Sequence, residues 1–268
     1  MTVVSFVATP IGNLKDLSFR AVETLKNADA IFCEDTRHTL KLLNAYEIKK
    51  PLFACHKFNE REAAEKIISA AKEGKQVAVV SDAGMPVISD PGNAVCRALR
   101  EAGVEYTVVP GANAALSALV LSALPADRFA FIGFLPDKAG EKRKLLEKYA
   151  KLDLTLIFHV APQDVDRDIC AVYEVFGNRK ACAVREITKL HEEILPFELK
   201  DGLAGEKRGE YVLVVEGAAN ENPLCSLTVK EHLLHYMSGG MPKKDAVKQV
   251  AKDRNTAKSE IYKIALEL

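Results

Sequence analysis

The chain has 268 residues, of which 48% are hydrophobic and 28% are charged. Its 37 Lys and Arg residues balance its 37 Asp and Glu residues, which excludes a protein that coats a polyanion with one broad basic surface. No apolar run reaches the roughly 18 residues of a membrane span, and the N-terminal sequence lacks the features of a secretion signal. We therefore expect a cytoplasmic protein with no membrane partner.

Six cysteines are spread along the chain without a Cys-x-x-Cys pair, so their spacing supports neither a zinc ribbon nor a redox motif. Several lie in apolar runs, as Cys33 does in AIFCED, and we expect buried free thiols. His232 and His235 are three residues apart on one predicted helix face. We interpret them as part of an exposed amphipathic face rather than a metal pair, and we predict no metal site.

The first part of the chain alternates apolar strand-like runs with helix-like segments. The strands are almost continuously apolar, which is typical of a mainly parallel sheet covered on both faces. Asn59, followed by Glu62, indicates a capping box that opens a helix ending near Lys72. The sequence therefore predicts an N-terminal α/β domain over residues 1–124, with strands at residues 3–8, 30–33, 52–55, 76–81 and 106–109.

The pattern changes after Pro125. A strand at residues 129–134 precedes a charged helix, and further strands are indicated at residues 154–158, 181–186 and 211–216, with residues 192–199 as another candidate. Residues 125–222 therefore predict a second α/β domain with a mixed sheet. Residues 223–268 predict a helical tail that resembles a helix-turn-helix, with three short helices and a capping box at Thr228.

The loops that follow the first five predicted strands carry most of the chemistry. They read TPIGN, EDTRH, HKFNE, SDAGMPVISDPG and PGAN. Because the carboxyl ends of parallel strands meet at one sheet edge, these loops should form a ligand site there. The chain has no Walker A motif and no Gly-x-Gly-x-x-Gly after a strand, so a phosphate cradle at a helix N-terminus is not indicated.

Six motifs occur in order along the chain: TPIGNLKDLSFRA, EDTRHTLKLLN, VSDAGMPVISDPG, VPGANAAL, FIGFLP and REITKLHEE. Together they resemble the tetrapyrrole methylase superfamily, and in particular its branch of 16S rRNA cytidine 2′-O-methyltransferases, over about residues 4–217. The resemblance implies a class III S-adenosylmethionine (SAM) methyltransferase with two α/β domains around a SAM cleft. It also implies a homodimer that acts on 16S rRNA in the small ribosomal subunit.

The resemblance further implies the residues that contact SAM. Arg185 and the strand at residues 212–215 would close the adenine side. The segment VAPQD at residues 160–164 departs from the family pattern, which typically has ESPHR there. Small residues would let the backbone approach SAM closely. The implied SAM contacts are Pro10, Ile11, Asp82, Gly84, Met85, Asn113, Ala114 and His159.

Methylation of a ribose 2′-hydroxyl needs in-line alignment and a group that takes the proton. Polar side chains from the recognised motifs are the candidates, and a cation among them would hold phosphate. For Glu34 and Arg37 a structural ion pair between loops is the alternative. The catalytic candidates are Glu34, Asp35, Arg37 and Lys189.

RNA binding needs cations. Residues 138–151 hold six basic and two acidic side chains, and residues 228–268 hold eight basic and five acidic ones. We expect both segments to contact a folded RNA particle through its backbone, with a solvated helix face as the alternative. Two other functions stay open at this point: a corrin- or porphyrin-type small-molecule methyltransferase, and a non-enzymatic RNA-binding assembly protein.

Overall fold

The computed structural model describes residues 4–205, 207–218, 223–254 and 256–268. The chain forms two compact units, one of residues 1–150 and 154–216, the other of residues 151–153 and 217–268. Among the described residues, the first unit holds two β-sheets and the second holds three α-helices. None of the helices in the described part of the chain is long and apolar enough to cross a membrane.

Five short apolar strands form the first sheet. They lie in the spatial order third, second, fourth, first and fifth, and all neighbouring pairs are parallel. The parallel sheet predicted for this part of the chain is therefore confirmed. The strands are β1 (Val4–Val7), β2 (Ala30–Cys33), β3 (Leu52–Ala54), β4 (Val77–Val80) and β5 (Tyr106–Val109).

Helices cover both faces of this sheet. Side chains alternate between the two faces along each strand, so neighbouring residues of one strand enter different buried clusters. Phe6 of β1 packs in one buried cluster with Ile67, while Val7 packs in the opposite cluster with Leu25. The helices of this part are α1 (Phe19–Asn27), α2 (Thr36–Ala45), α3 (Glu60–Lys72), α4 (Asn93–Glu101) and α5 (Ala114–Ser122).

The predicted capping box at the start of α3 is wrong. Asn59 makes no side-chain cap bond to the helix. Its Oδ1 instead accepts from the backbone N–H of His56 at 2.7 Å, and its Nδ2 donates to the carbonyl of Ala54 at 3.0 Å. Glu62 pairs with Lys66, one turn further along the helix. Asn59 therefore stabilises the loop after β3 rather than the helix end.

The second sheet is mixed, as predicted. Its strands are β6 (Phe129–Phe134), β7 (Thr155–Val160), β8 (Lys180–Arg185), β9 (Glu193–Glu198) and β10 (Tyr211–Val215). They lie in the order β6-β7-β10-β8-β9, where β6 and β7 run parallel and the other neighbours are antiparallel. The helices α6 (Ala139–Glu147) and α7 (Val165–Phe176) pack on one face, and α5 packs on the other.

A buried ion pair joins α6 to α7. Lys142 is 2% exposed and donates to the carboxylate of Asp168, which is 4% exposed. The ammonium group of Lys142 therefore cannot reach an RNA phosphate, and its predicted place in a cationic RNA surface is wrong. Lys138 and Arg143 of the same segment are exposed, but each pairs with a glutamate of α6.

The second unit contains the three predicted helices, α8 (Val229–Ser238), α9 (Lys243–Asp253) and α10 (Lys258–Ala265). The capping box at Thr228 is confirmed. Its hydroxyl accepts from the N–H of Glu231 at 3.2 Å, and the Glu231 carboxylate accepts from the N–H of Thr228 at 2.8 Å. Apolar side chains from all three helices form the core of this unit.

The exposed histidine face predicted for α8 is wrong for His232, which is fully buried. Its ring stacks on Tyr236 with centroids 5.2 Å apart, and its Nδ1 accepts from Arg254 Nε at 3.1 Å. His235 is exposed.

The six cysteines are free, but Cys170 is exposed, against the expectation of burial.

Candidate functional site

A cavity of about 570 Å³ lies between the two sheets of the first unit. Loops after β1, β2, β4 and β5 form one wall, and the second sheet with its loops forms the other. This volume falls in the range of roughly 300–1,000 Å³ that is common for small-molecule sites. The first wall includes Ile11, Glu34, Asp82, Gly84, Met85, Ser89, Asp90, Asn113 and Ala114, and the second includes Phe131, Phe134, His159, Gln163, Ile187, Glu210 and Val212.

Hydrogen bonds join the loops after β1 and β4. The N–H of Thr9 donates to the carbonyl of Gly84 at 2.9 Å, and the N–H of Gly84 donates back at 3.1 Å. Gly84 has φ +79°, and a Cβ there would lie 3.3 Å from Cγ2 of Ile11. Glycine therefore allows both the left-handed turn and the close approach of the two loops.

The loop after β2 is joined to the loop after β4 through Asp82. Oδ1 of Asp82 accepts from the backbone N–H of Asp35 at 3.1 Å. Glu34, the residue before it, faces the cavity. The Asp82 carboxylate thus both lines the cavity and fixes the position of the EDTR loop, a structural contact that the sequence pattern did not indicate.

Asp35 and Arg37 form an ion pair outside the cavity wall as the structure describes it. Nη2 of Arg37 lies 2.8 Å from Oδ2 of Asp35, and the Arg37 side chain is 88% exposed. Asp35 is also the N-cap of α2. Its hydrogen bonds to the Arg37 side chain and backbone hold the pKa of the Asp35 carboxyl well below its usual range. Arg37 therefore pairs with Asp35 and not with Glu34.

Lys189 lies behind the second wall. Its Nζ donates to Glu186 at 2.8 Å and to Glu210 at 2.9 Å, and Glu210 lines the cavity. Burial alone would lower the pKa of Lys189, but the hydrogen bonds to the two glutamates outweigh burial and raise it. Lys189 is thus held as a cation.

Pro10, one of the predicted SAM contacts, is buried beside its neighbour Ile11.

Three carboxylates share the first wall: Glu34, Asp82 and Asp90. Burial, followed by the charge of Asp82, raises the pKa of Glu34. Burial, followed by the charge of Glu34, raises the pKa of Asp90 to about 6, although the hydroxyl of Ser81 opposes the shift. Sequence reasoning missed Asp90 as a site residue. Its place in SDAGMPVISDPG, the longest of the strand-end loops, was the available signal.

His159 lies on the opposite wall between two aromatic rings. Its ring centroid is 5.0 Å from that of Phe131 and 5.3 Å from that of Phe134, both edge to face. Burial lowers the pKa of His159, and Glu210 opposes this shift. Its buried Nε2 has no hydrogen-bond partner among the described residues. A buried polar atom on a cavity wall needs such a partner, which a bound molecule can supply.

Arg185 is placed away from this wall, where its Nη2 pairs with Glu193 at 2.9 Å. Val212 of β10 does line the cavity.

Within the described ranges, no group of three or more His, Cys, Asp or Glu side chains is arranged to hold a metal ion.

The cavity is chemically suited to SAM. The Asp82 carboxylate can face the sulfonium or the amino cation of SAM, and the small residues Gly84 and Ala114 on the same wall allow a nucleoside to approach the backbone. The aromatic rings around His159 offer an apolar surface, and the unpaired Nε2 offers a polar contact. The altered 160–164 segment contributes Val160, Ala161, Pro162 and Gln163 to the wall.

The profile of the family described as Tetrapyrrole (Corrin/Porphyrin) Methylases matches residues 3–201. The chain belongs to this family. Membership confirms the resemblance drawn from the six motifs. Solved structures support the family fold at low sequence identity. Diphthine synthase has a TM-score of 0.65 at 16% identity, with 80% of this chain and 89% of that chain covered. The methyltransferase CobJ has a TM-score of 0.62 at 20% identity, with 82% and 95% covered.

Two similar curated proteins carry the name Ribosomal RNA small subunit methyltransferase I. The protein of Bacillus subtilis (strain 168) is 44% identical over 272 residues, which cover 98% of this chain and 93% of the relative. The protein of Synechocystis sp. (strain ATCC 27184 / PCC 6803 / Kazusa) is 36% identical over 275 residues, covering 100% of this chain and 99% of the relative.

Proposed function

We propose that the protein is a SAM-dependent methyltransferase that acts on RNA of the small ribosomal subunit. The observation that carries this proposal is the near full-length similarity to relatives named for that activity, up to 44% identity over 98% of this chain. We further propose that the acceptor is the ribose 2′-hydroxyl of a cytidine in 16S rRNA, on the basis of the resemblance carried by the six motifs. The same relatives favour RNA over a corrin or porphyrin substrate.

We assign the cavity of the first unit to SAM. Bound there, SAM supplies a methyl group activated by its sulfonium charge. Ile11, Gly84 and Met85 would hold it on the first wall, with His159 opposite. Asn113 uses its Oδ1 to cap α5, accepting from Leu116 N–H at 3.0 Å, so its amide nitrogen is the side-chain donor left for a ligand. Pro10, Asp82 and Ala114 would complete the set.

The acceptor side of the cavity is assigned to the EDTR loop. Glu34 faces the cavity and can accept a hydrogen bond from the ribose. Arg37 is exposed and always charged, so it can exchange Asp35 for an incoming phosphate. Lys189 would act through Glu210, whose carboxylate it holds at the cavity wall.

We also propose a homodimer in the cytoplasm. Val108 on the edge strand β5 is 46% exposed, and Leu116 and Val120 on α5 are 48% and 78% exposed. A second copy could cover these exposed apolar side chains. Cytoplasmic location follows from a substrate in the small ribosomal subunit.

The test is methyl transfer from labelled SAM to isolated small ribosomal subunits by the full chain. The RNA is then digested to nucleosides, and 2′-O-methylcytidine is expected as the labelled product. Label on another nucleoside would overturn the cytidine assignment. Binding of SAM by calorimetry without transfer to the particles would favour a different substrate, and the absence of SAM binding would support the non-enzymatic alternative.

A further inference from the structure

We propose that Asp90 takes the proton of the acceptor hydroxyl during methyl transfer. This inference rests on the proposed function and adds a catalytic residue to it. Asp90 lines the cavity and is half-buried there. It follows Met85 and Ile88 in the same loop, so one segment would contact SAM and carry the proton acceptor.

Three of the other candidate groups are committed to structural contacts, whereas Glu34 shares the cavity wall with Asp90. Asp82 accepts from the N–H of Asp35. Asp35 is held as an anion by Arg37 and caps a helix. Lys189 is held as a cation by two glutamates, and a protonated amine cannot accept a proton. Asp90 has no ion pair to any cation among the described residues, so its carboxylate is available to a substrate.

The charges around Asp90 suit it to this role. Glu34 and Asp82 face it from the loops after β2 and β4, and the hydroxyl of Ser81 lies at the end of β4. Burial and the negative charge of Glu34 raise the pKa of Asp90 to about 6. A general base works best when its pKa lies near the working pH, because it is then deprotonated yet still basic. Glu34 therefore has a positioning and tuning role beside Asp90.

The backbone that carries Asp90 is strained and held in place. Val87 and Ser89 have φ +77° and +67°, a conformation that is uncommon for any residue other than glycine and rare for the β-branched Val87. The loop is fixed beyond Asp90, where the Glu60 carboxylate accepts from the N–H groups of Gly92 at 3.2 Å and Ala94 at 3.0 Å. Strained residues of this kind persist where surrounding contacts enforce them, often at functional sites.

The proposed step balances as follows. The hydroxyl oxygen forms a bond to the methyl carbon as the carbon–sulfur bond breaks, and that electron pair stays on sulfur. The hydroxyl proton passes to a carboxylate oxygen of Asp90, so the sulfonium becomes a neutral thioether and Asp90 becomes a carboxylic acid. The proton leaves to solvent after the product dissociates.

The experiment is single-turnover methylation of isolated small ribosomal subunits as a function of pH, with SAM and particles saturating. The wild-type rate should rise with pH through about 6 and then level off. Asp90→Asn should lose this rise and react about 10²–10⁴-fold more slowly on the plateau. Glu34→Gln should shift the rise to lower pH, because it removes a charge that raises the pKa of Asp90. Asp90→Glu should keep the rise, and the exposed Asp127→Asn serves as matched control.

Two further measurements separate a catalytic role from a structural one. Calorimetry should give the same SAM affinity for Asp90→Asn and wild type, and both should melt cooperatively. NMR of chains labelled at the Asp carboxyl carbons should show one signal that titrates near pH 6 and is missing in Asp90→Asn.

Asp90→Asn with the wild-type rate and pH rise would overturn the proposal. Loss of SAM affinity in that variant would also overturn it, because Asp90 would then be a SAM contact. A wild-type chain that transfers no methyl group to the particles would refute the proposed function instead.

Discussion

The buried pair of Lys142 and Asp168 allows a sharp prediction about stability. Lys142→Met keeps the volume of the side chain but leaves the Asp168 carboxylate buried without its partner. Removing one member of a buried pair costs about 3–5 kcal/mol. Arg167 remains, with its Nε 3.7 Å from Oδ1 of Asp168, and offsets part of the uncompensated charge. We therefore expect a loss of about 3 kcal/mol, at the lower end of this range.

Thermal unfolding followed by circular dichroism tests this value. At about 2–4 °C per kcal/mol, the melting temperature of Lys142→Met should fall by roughly 6–12 °C. The double variant Lys142→Met/Asp168→Leu should recover most of the loss, because an apolar pair of similar volume removes both desolvated charges. Lys144→Met, at an exposed site on the same helix, is the matched control and should leave the melting temperature unchanged.

The same variant separates a structural role from RNA binding. Each phosphate contact contributes about 0.7–0.9 to the slope of log affinity against log salt. Lys142→Met should bind particles with the wild-type slope, since its ammonium group is buried. An unchanged melting temperature together with a shallower slope would refute the structural argument and restore Lys142 to the RNA surface.

Three further predictions concern other parts of the molecule. Gly84→Ala should weaken SAM binding in calorimetry, because its Cβ would lie 3.3 Å from Cγ2 of Ile11. Gly74→Ala, at φ +81° with nothing within 4 Å, should leave SAM affinity unchanged. Left-handed strain should lower the free energy of unfolding of each variant by about 1–2 kcal/mol, and equal SAM affinities would contradict the site. Lys243→Ala/Lys244→Ala should make the salt slope of particle binding shallower by about 1.4–1.8 without changing SAM affinity, and an unchanged slope would remove α9 from the RNA surface. Burial, and then the charge of Arg254, lower the pKa of His232, so protonation favours the unfolded chain and stability should fall as the pH drops below about 6.5. Denaturant titrations of wild type and His232→Phe between about pH 5 and 8 test this, and the same pH dependence in both would assign it to another group.

Local pattern was enough to predict the parts of the fold that depend on neighbouring residues. The continuous apolar run at Val77–Val80 indicated a strand buried on both faces, and the strand proved central. The Thr228 capping box was also predictable, since both partners lie within one helical turn. The gathering of strand-end loops around one cavity followed from the parallel arrangement for the loops after β1, β2, β4 and β5, although the loop after β3 does not line the cavity.

The errors at Lys142, His232 and Asp90 share one physical cause, which is a partner distant in sequence. Lys142 looked like a surface cation because Asp168 is on another helix. His232 looked exposed because Arg254, which donates to it, lies 22 residues later at the C-terminal end of α9. The burial of Asp90 and the charge that Glu34 places near it come from tertiary structure. The sequence indicated the right loop but not which carboxylate in it would be perturbed.

The hydrogen bond from the Asp35 backbone to Asp82 has a thermodynamic consequence. It makes one side chain common to the loop assigned to SAM and the loop assigned to RNA. The free energy of the doubly bound state does not depend on the order of binding. Any factor by which SAM changes the affinity for the particle must therefore equal the factor by which the particle changes the affinity for SAM. Asp82→Asn, which weakens the shared contact, would move both factors together.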